Sequence, residues 1–126
     1  MINNKQYNRL INIAKSLCPI YKCHRCFHVA FLLKHNKIYK IGWNQIKTHP
    51  LLKLYPYYSI GIHAELNVIM KANKDDLSDY TLIVIRLNRN NKILYSKPCS
   101  ACQNVMKQFN LYNCYYSNYN GSLSKL

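Results

Sequence analysis

The chain has 126 residues, 49% of them hydrophobic, which predicts one compact domain over residues 1–126. Its 18 Lys and Arg against 4 Asp and Glu give a formal charge of +14, which favours an anionic partner such as a nucleotide, a nucleic acid or an acidic surface. No apolar run of about 18 residues and no apolar signal-peptide core are present, so we expect an intracellular, cytoplasmic protein without a membrane segment. In that compartment the six cysteines are expected to be free thiols or metal ligands.

The first half of the chain predicts a helix, two strands and a long loop. Apolar positions three and four apart predict the helix over residues 4–17, and these positions are Tyr7, Leu10, Ile11, Ala14 and Leu17. The runs FHVAFLL and IYKIGW, separated by HNK, predict a strand, a turn and a strand. Residues 44–60 contain two prolines and no clean period, which indicates a loop of functional length.

The second half predicts alternating helices and strands. A helix headed by His63 buries Leu66, Ile69 and Met70 and ends at NKDDLSD, and YTLIVIRL is the strongest strand signal in the chain. After the turn NRNN, KILYS predicts a strand, and Pro98 suits the first turn of a helix through CSACQNVMKQF. LYNCYYS predicts the last strand, and NYNGSLSKL a turn and a tail. This order predicts a three-layer α/β fold.

Candidate metal ligands stand at the start of two predicted helices. Cys99 and Cys102 are three residues apart and share one helical face, and the partial positive charge in the first turn stabilises the thiolates that zinc requires. His63 offers a third, neutral donor. Three protein donors leave one position of a tetrahedral zinc ion open to water, which is typical of a catalytic site. We therefore predict one zinc ion per chain, with Glu65 near His63 as a carboxylate that moves protons.

The motifs HAE and PCSAC together resemble the signature of the zinc-dependent nucleobase deaminases, H-x-E followed by P-C-x-x-C. Within that superfamily, IHAELN is most similar to the deoxycytidylate deaminases. GWN at residues 42–44 resembles a segment in which relatives place an asparagine that contacts the sugar of the substrate. The resemblance covers most of the chain and implies a cytidine-deaminase-like fold, with a mixed sheet of about five strands flanked by helices.

The same resemblance implies roles for the motif residues. Zinc would be bound by one histidine and two cysteines, namely His63, Cys99 and Cys102. Glu65 would be the catalytic proton carrier, while Asn44 and the backbone N–H of Ala64 would contact the substrate. The segment RLNRNNKILYSK departs from the pattern, because deoxycytidylate deaminases run almost straight from this strand into the cysteine motif. The substrate is therefore left open.

The implied reaction is hydrolytic conversion of cytosine to uracil. The substrate is predicted to be a cytidine or deoxycytidine nucleotide such as dCMP, or cytosine in a single-stranded nucleic acid, for which the net charge of +14 is suited. Two alternatives stay open. One is an adenosine deaminase acting on RNA, which shares the HAE and PCxxC plan, and the other is a non-catalytic, zinc-stabilised nucleic-acid-binding protein.

Two further groups of residues are candidates for function. Tyr57 and Tyr58, in the loop before HAE, are interleaved with basic residues in a way that suits contacts with bases and a nucleic-acid backbone. In CHRCFH, Cys23 and Cys26 form a second CxxC motif that could bind a second metal ion together with His28. The alternative, a loop with two free thiols leading into a strand, is preferred because a fourth ligand at zinc-site spacing is not evident. The oligomeric state is not indicated by the sequence.

Overall fold

The computed structural model describes residues 2–18, 26–45 and 62–126. Within these residues the chain forms three helices and a six-stranded sheet, in the chain order α1 (Asn4–Leu17), β1 (Cys26–Lys34), β2 (Lys37–Trp43), α2 (Ala64–Ala72), β3 (Tyr80–Asn88), β4 (Ile93–Leu94), α3 (Ser100–Gln108), β5 (Asn113–Ser117) and β6 (Leu123–Lys125). The α/β prediction is confirmed. None of the helices in these residues is long and apolar enough to cross a membrane.

The sheet is mixed, with the strand order β2-β1-β3-β5-β6. β1 runs antiparallel to both β2 and β3, whereas β3 runs parallel to β5. The short strand β4 pairs with β3 at Arg86 and Leu87, just beyond the last residue of β3 that pairs with β5. The carboxyl ends of β3 and β5 therefore lie at the same end of the sheet.

Helices cover the two faces of the sheet, and alternation along the strands assigns the side chains to each. Ala30 and Leu32 of β1 pack in one core cluster with α2 and α3. Val29 and Phe31 pack in a second cluster with α1. Because successive strand residues point to opposite faces, β1 and β3 are apolar on both sides, as their near-continuous apolar runs predict.

The structure departs from the sequence prediction in three places. The tail forms a sixth strand, β6, because Tyr115 to Ser117 of β5 pair antiparallel with residues 123–125. The strand predicted over KILYS is reduced to Ile93–Leu94. Pro98 precedes the N-cap residue Cys99 instead of lying in the first turn of α3.

Gly42 sets how closely α2 approaches the sheet. A Cβ atom at this position of β2 would lie 2.6 Å from the backbone nitrogen of Val68 and 2.9 Å from the carbonyl oxygen of Ala64. Two tethers hold α2 in this place, since Asn67 Oδ1 accepts the Trp43 N–H at 3.2 Å and Lys71 Nζ donates to the Ile41 oxygen at 2.9 Å. The start of α2 is thereby fixed relative to β2.

Candidate metal centre

The three predicted metal ligands come together at the N-termini of α2 and α3. His63 is the N-cap residue of α2 and Cys99 is the N-cap residue of α3, both with extended backbone. The sequence prediction placed both residues inside the first turn, whereas each lies just before its helix. Cys102 is in the first turn of α3, and its N–H group donates to Cys99 Sγ at 3.5 Å. The cysteine pair thus forms part of the cap of its own helix.

The donor atoms of these residues are close enough to share one ion. The Nδ1 atom of His63 lies 3.7 Å from Cys99 Sγ and 3.4 Å from Cys102 Sγ, and the ligand atoms of all three residues lie within 4.8 Å of one another. Two sulfur donors and one imidazole nitrogen are a donor set that zinc prefers. These residues fit a zinc ion, and with three protein donors they would leave one ligand position for a water molecule or a substrate.

The surroundings of His63 favour the protonation state that metal binding needs. Burial lowers the pKa of His63 below its usual range, so the ring stays neutral. Cys99 is exposed and Cys102 is buried, and both lie at the N-terminus of α3. The neutral imidazole can bind a cation without first releasing a proton, whereas each cysteine binds zinc as the thiolate and releases its proton when the metal binds.

Glu65 lies beside these donors, buried in the first turn of α2. Its side chain is 4% exposed, and its Oε1 atom has no hydrogen-bond partner among the described residues. Burial raises the pKa of this carboxyl above its usual range, and hydrogen bonds from its own backbone N–H and from the Cys102 side chain oppose that rise only in part. A buried carboxyl with an unsatisfied oxygen is suited to exchange a proton with a molecule that enters the site.

Cys114 is also buried next to this site, but it belongs to the core. Its side chain packs in the cluster under α2 and α3. Burial, with a smaller contribution from the Glu65 charge, raises the pKa of Cys114 to about 12, so its sulfur stays a protonated thiol. Cys114 is accordingly not one of the three residues whose donor atoms converge.

Asn44 lies directly after β2 and holds β1 in place. Its N–H group donates to the His28 oxygen at 3.2 Å, and its Oδ1 atom accepts the His28 N–H at 3.0 Å. The next residue, Gln45, forms two backbone hydrogen bonds with Ile62, of 2.9 and 2.8 Å. The predicted loop therefore leaves and rejoins the described fold at one point, directly before His63. Ala64, the other predicted substrate contact, is fully buried at the first position of α2.

Some candidates from the sequence fall outside the described residues. Tyr57, Tyr58 and Cys23 lie there, as does the side chain of Cys26. Contacts of the two tyrosines with a substrate and a second metal ion at the CxxC motif therefore stay predictions.

Sequence reasoning did not associate His28 and Arg86 with this site. His28 pairs with Arg86 across β1 and β3, and the pKa of His28 is lowered to about 4 by burial, by the Arg86 charge and by His63. His28 thus lies near both Arg86 and a metal donor. Only the strand register reveals this neighbourhood, since the sequence motif CHRCFH groups His28 with Cys23 and Cys26, and no local motif includes Arg86.

Solved structures of deaminases resemble this fold. The dCMP deaminase of cyanophage S-TIM5 gives a TM-score of 0.63 at 18% identity, with 93% of this chain and 86% of the relative covered. The same enzyme in complex with dCMP and dUMP gives 0.64 at 18% identity, with 94% and 85% covered. Cytidine deaminase from Mycobacterium leprae gives 0.62 at 14% identity, with 98% and 94% covered. Likeness at this level of identity establishes the cytidine-deaminase-like fold.

Sequence comparison establishes the family. Among curated proteins no sequence matches this chain significantly. Residues 4–118, by contrast, match the model of a family described as the cytidine and deoxycytidylate deaminase zinc-binding region. That match contains all three converging metal donors together with Glu65. The chain therefore belongs to the cytidine and deoxycytidylate deaminase family, and it is a zinc-dependent deaminase, a hydrolase that acts on a C–N bond.

Proposed function

We propose that this protein hydrolyses the 4-amino group of cytosine in a cytidine or deoxycytidine nucleotide such as dCMP, giving the uracil nucleotide and ammonia. The observation that carries the proposal is the buried Glu65, whose Oε1 atom has no partner among the described residues and which adjoins the His63, Cys99 and Cys102 donors. A carboxyl in that position can reach both the water and the base. His63, Cys99 and Cys102 would hold the zinc ion.

Zinc bound to these donors would supply a Lewis acid that lowers the pKa of water from about 15.7 to about 7. Glu65 accepts the proton that water loses as its oxygen adds to C4 of the base, and it delivers a proton to N3. It then takes the remaining proton of the hydroxyl group added to C4 and transfers it to the 4-amino group, which leaves as ammonia when the C4–N bond breaks and the C4 carbonyl of uracil forms. Its raised pKa favours this work, because a carboxyl that binds protons more readily can carry one at neutral pH.

The family description favours cytosine over adenine, because it names cytidine and deoxycytidylate. Family membership likewise favours an enzyme over a non-catalytic nucleic-acid-binding protein. A nucleotide is supported by the similar S-TIM5 dCMP deaminase, whose structure contains dCMP and dUMP. A single-stranded nucleic acid is the second candidate substrate, supported by the charge of +14. Asn44 and the Ala64 N–H are the proposed substrate contacts, and Tyr57 and Tyr58 are the proposed contacts with a base or the backbone.

The test is a substrate panel with the parent protein and the Glu65→Gln variant. The panel contains cytidine, deoxycytidine, dCMP, a single-stranded cytosine oligonucleotide, and adenosine-containing RNA, with ammonia and the deaminated base as readouts. We expect the parent to release ammonia from a cytosine substrate. Glu65→Gln should lower kcat by about a hundredfold to ten-thousandfold while zinc content and melting temperature are retained.

Asp75→Asn is the matched control, because it removes the same charge from an exposed residue beyond the opposite end of α2. It should leave turnover unchanged. Two results contradict the proposal: a Glu65→Gln variant as active as the parent, or a zinc-loaded parent that releases no ammonia from any cytosine substrate. Inosine as the sole product would assign the reaction to adenosine instead.

A further inference from the structure

Arg86 differs in burial from every other basic residue that the structure describes. All the other lysines and arginines in residues 2–18, 26–45 and 62–126 are exposed, whereas Arg86 is half-buried and its Nε atom is fully buried. Removing a guanidinium group from water is costly unless it serves an interaction in its new surroundings. The partial burial of Arg86 therefore indicates that its guanidinium group interacts with its surroundings in the folded protein.

The strand register places Arg86 at the metal end of the sheet. In β3, Leu82 and Val84 point into the cluster under α2 and α3, and Arg86 continues this alternation toward the carboxyl end of the strand. In β1, His28 precedes Ala30 and Leu32 on the same face and pairs directly with Arg86. Both side chains thus project from the face that carries α2 and α3.

His28 connects Arg86 with the metal donors. Arg86 and His63 both lower the pKa of His28, which places its ring near each of them. The backbone of His28 is fixed by Asn44, through the hydrogen bonds of 3.0 and 3.2 Å that hold β1 against the end of β2. Arg86, His28 and His63 therefore adjoin one another beside the site, with Arg86 supplying the positive charge and the two histidines neutral.

The guanidinium group of Arg86 is also oriented. Its Nη1 atom donates to the Tyr95 oxygen at 3.4 Å, and its backbone N–H donates to Ser117 Oγ at 3.3 Å. Tyr95 lies in the segment that leads from β4 to Cys99, so the contact ties Arg86 to the chain that positions a metal donor. A guanidinium group carries five donors in a planar fork that matches two oxygens of a phosphate group.

The acidic residues leave the metal end of the molecule positive. The chain has four Asp and Glu, and one of them, Glu65, is buried in the site. The other three, Asp75, Asp76 and Asp79, are exposed in the turn between α2 and β3. This turn follows the C-terminus of α2, about 14 Å along the helix axis from His63. An anionic substrate group is therefore favoured at the end that carries Arg86.

We propose that Arg86, with His28 beside it, binds the phosphate group of the substrate, so that the deaminase acts on cytidine nucleotides in preference to nucleosides. The inference rests on the proposed function and adds a specificity-determining residue to it. The phosphate is either the 5′-phosphate of a free nucleotide or a phosphodiester of a single strand, and the two share the same recognition by Arg86.

Binding of the reaction product tests this without turnover. The zinc-loaded protein is titrated calorimetrically with dUMP, deoxyuridine and a short single strand containing one deoxyuridine. We expect dUMP or the strand to bind about 10- to 150-fold more tightly than deoxyuridine, as for hydrogen bonds to a charged group. Tighter binding of the strand than of dUMP would identify a phosphodiester, and the reverse order a free 5′-phosphate.

The decisive variant is Arg86→Gln, with Arg89→Gln as its matched control. Arg89 is exposed just beyond β3, so its replacement removes the same charge outside the site. Arg86→Gln should abolish the preference for the phosphorylated ligand and leave deoxyuridine affinity within about twofold, whereas Arg89→Gln should keep the preference. Equal weakening of dUMP and deoxyuridine by Arg86→Gln, or an equal effect of Arg89→Gln, would overturn the inference.

A measurement on the unmodified protein does not depend on whether the variants fold. Inorganic phosphate should compete with dUMP and leave deoxyuridine binding unchanged; no competition would contradict the proposal. Arg86-dependent dUMP binding in a protein that never releases ammonia would uphold this inference and refute the deaminase proposal. Equal deamination of dCMP and deoxycytidine by the parent would uphold the deaminase proposal and refute the role of Arg86 in phosphate binding.

Discussion

The packing of α2 against β2 predicts that Gly42→Ala damages both stability and catalysis. The new Cβ would lie 2.6 Å from Val68 N, 2.8 Å from Val68 Cβ and 2.9 Å from Ala64 O. Comfortable contacts between carbon atoms are about 3.5 to 4.0 Å, so α2 would have to move by roughly 1 Å. Two of the three close atoms belong to the backbone, so truncating the Val68 side chain cannot relieve the overlap.

The expected cost of this overpacking is about 1 to 3 kcal/mol. That corresponds to a fall in melting temperature of about 4 to 12 °C for a domain of this size. Because His63 and Glu65 lie at the start of the displaced helix, a 1 Å shift should also lower kcat on the order of a hundredfold.

Thermal unfolding by circular dichroism, zinc content and initial rates would be measured together, with the exposed Lys40→Ala on the same strand as control. The control should change stability by less than about 0.5 kcal/mol. If Gly42→Ala melts at the parent temperature and keeps full activity, the close approach of α2 to β2 is wrong.

Two further variants test the interior. Ser96 Oγ donates to the Val84 oxygen at 2.8 Å and accepts the Ser117 N–H at 2.8 Å, so Ser96→Ala should lower the free energy of unfolding by about 1 to 3 kcal/mol. Urea unfolding measures this, and an unchanged midpoint relative to the exposed Ser122→Ala would contradict the network. The Tyr7 hydroxyl is buried without a hydrogen-bond partner among the described residues, and burial raises its pKa to about 12. Tyr7→Phe should therefore raise the free energy of unfolding by about 1 kcal/mol, and a loss of stability would show that the hydroxyl is satisfied.

The metal donors could be predicted from the sequence because their chemistry depends on local spacing. Cys99 and Cys102 lie three apart at a helix start, and this spacing alone places both sulfurs on one side of the helix. His63 and Glu65 are similarly close in sequence at the start of α2. The error of placing His63 and Cys99 inside the first turns is small, because helix boundaries depend on backbone angles that composition does not fix.

The environment of the donors could not be predicted in the same way. His28 and Arg86 meet only because β1 and β3 pair in one register, and a shift by one residue would turn either side chain to the other face of the sheet. The strand β6 was missed for a related reason. Its sequence, LSK, has no strong periodic signal, and it becomes a strand through its edge pairing with β5.

The paired Gln45 and Ile62 have a consequence for how this protein can change over evolutionary time. The two residues that flank positions 46–61 are thereby bonded to each other, immediately before His63. Each doubling of the length of a flexible loop costs only about 0.6 kcal/mol in closure entropy. A change in the number of residues between Gln45 and Ile62 should consequently leave β2, α2 and the metal donors in place, as long as these two residues stay paired.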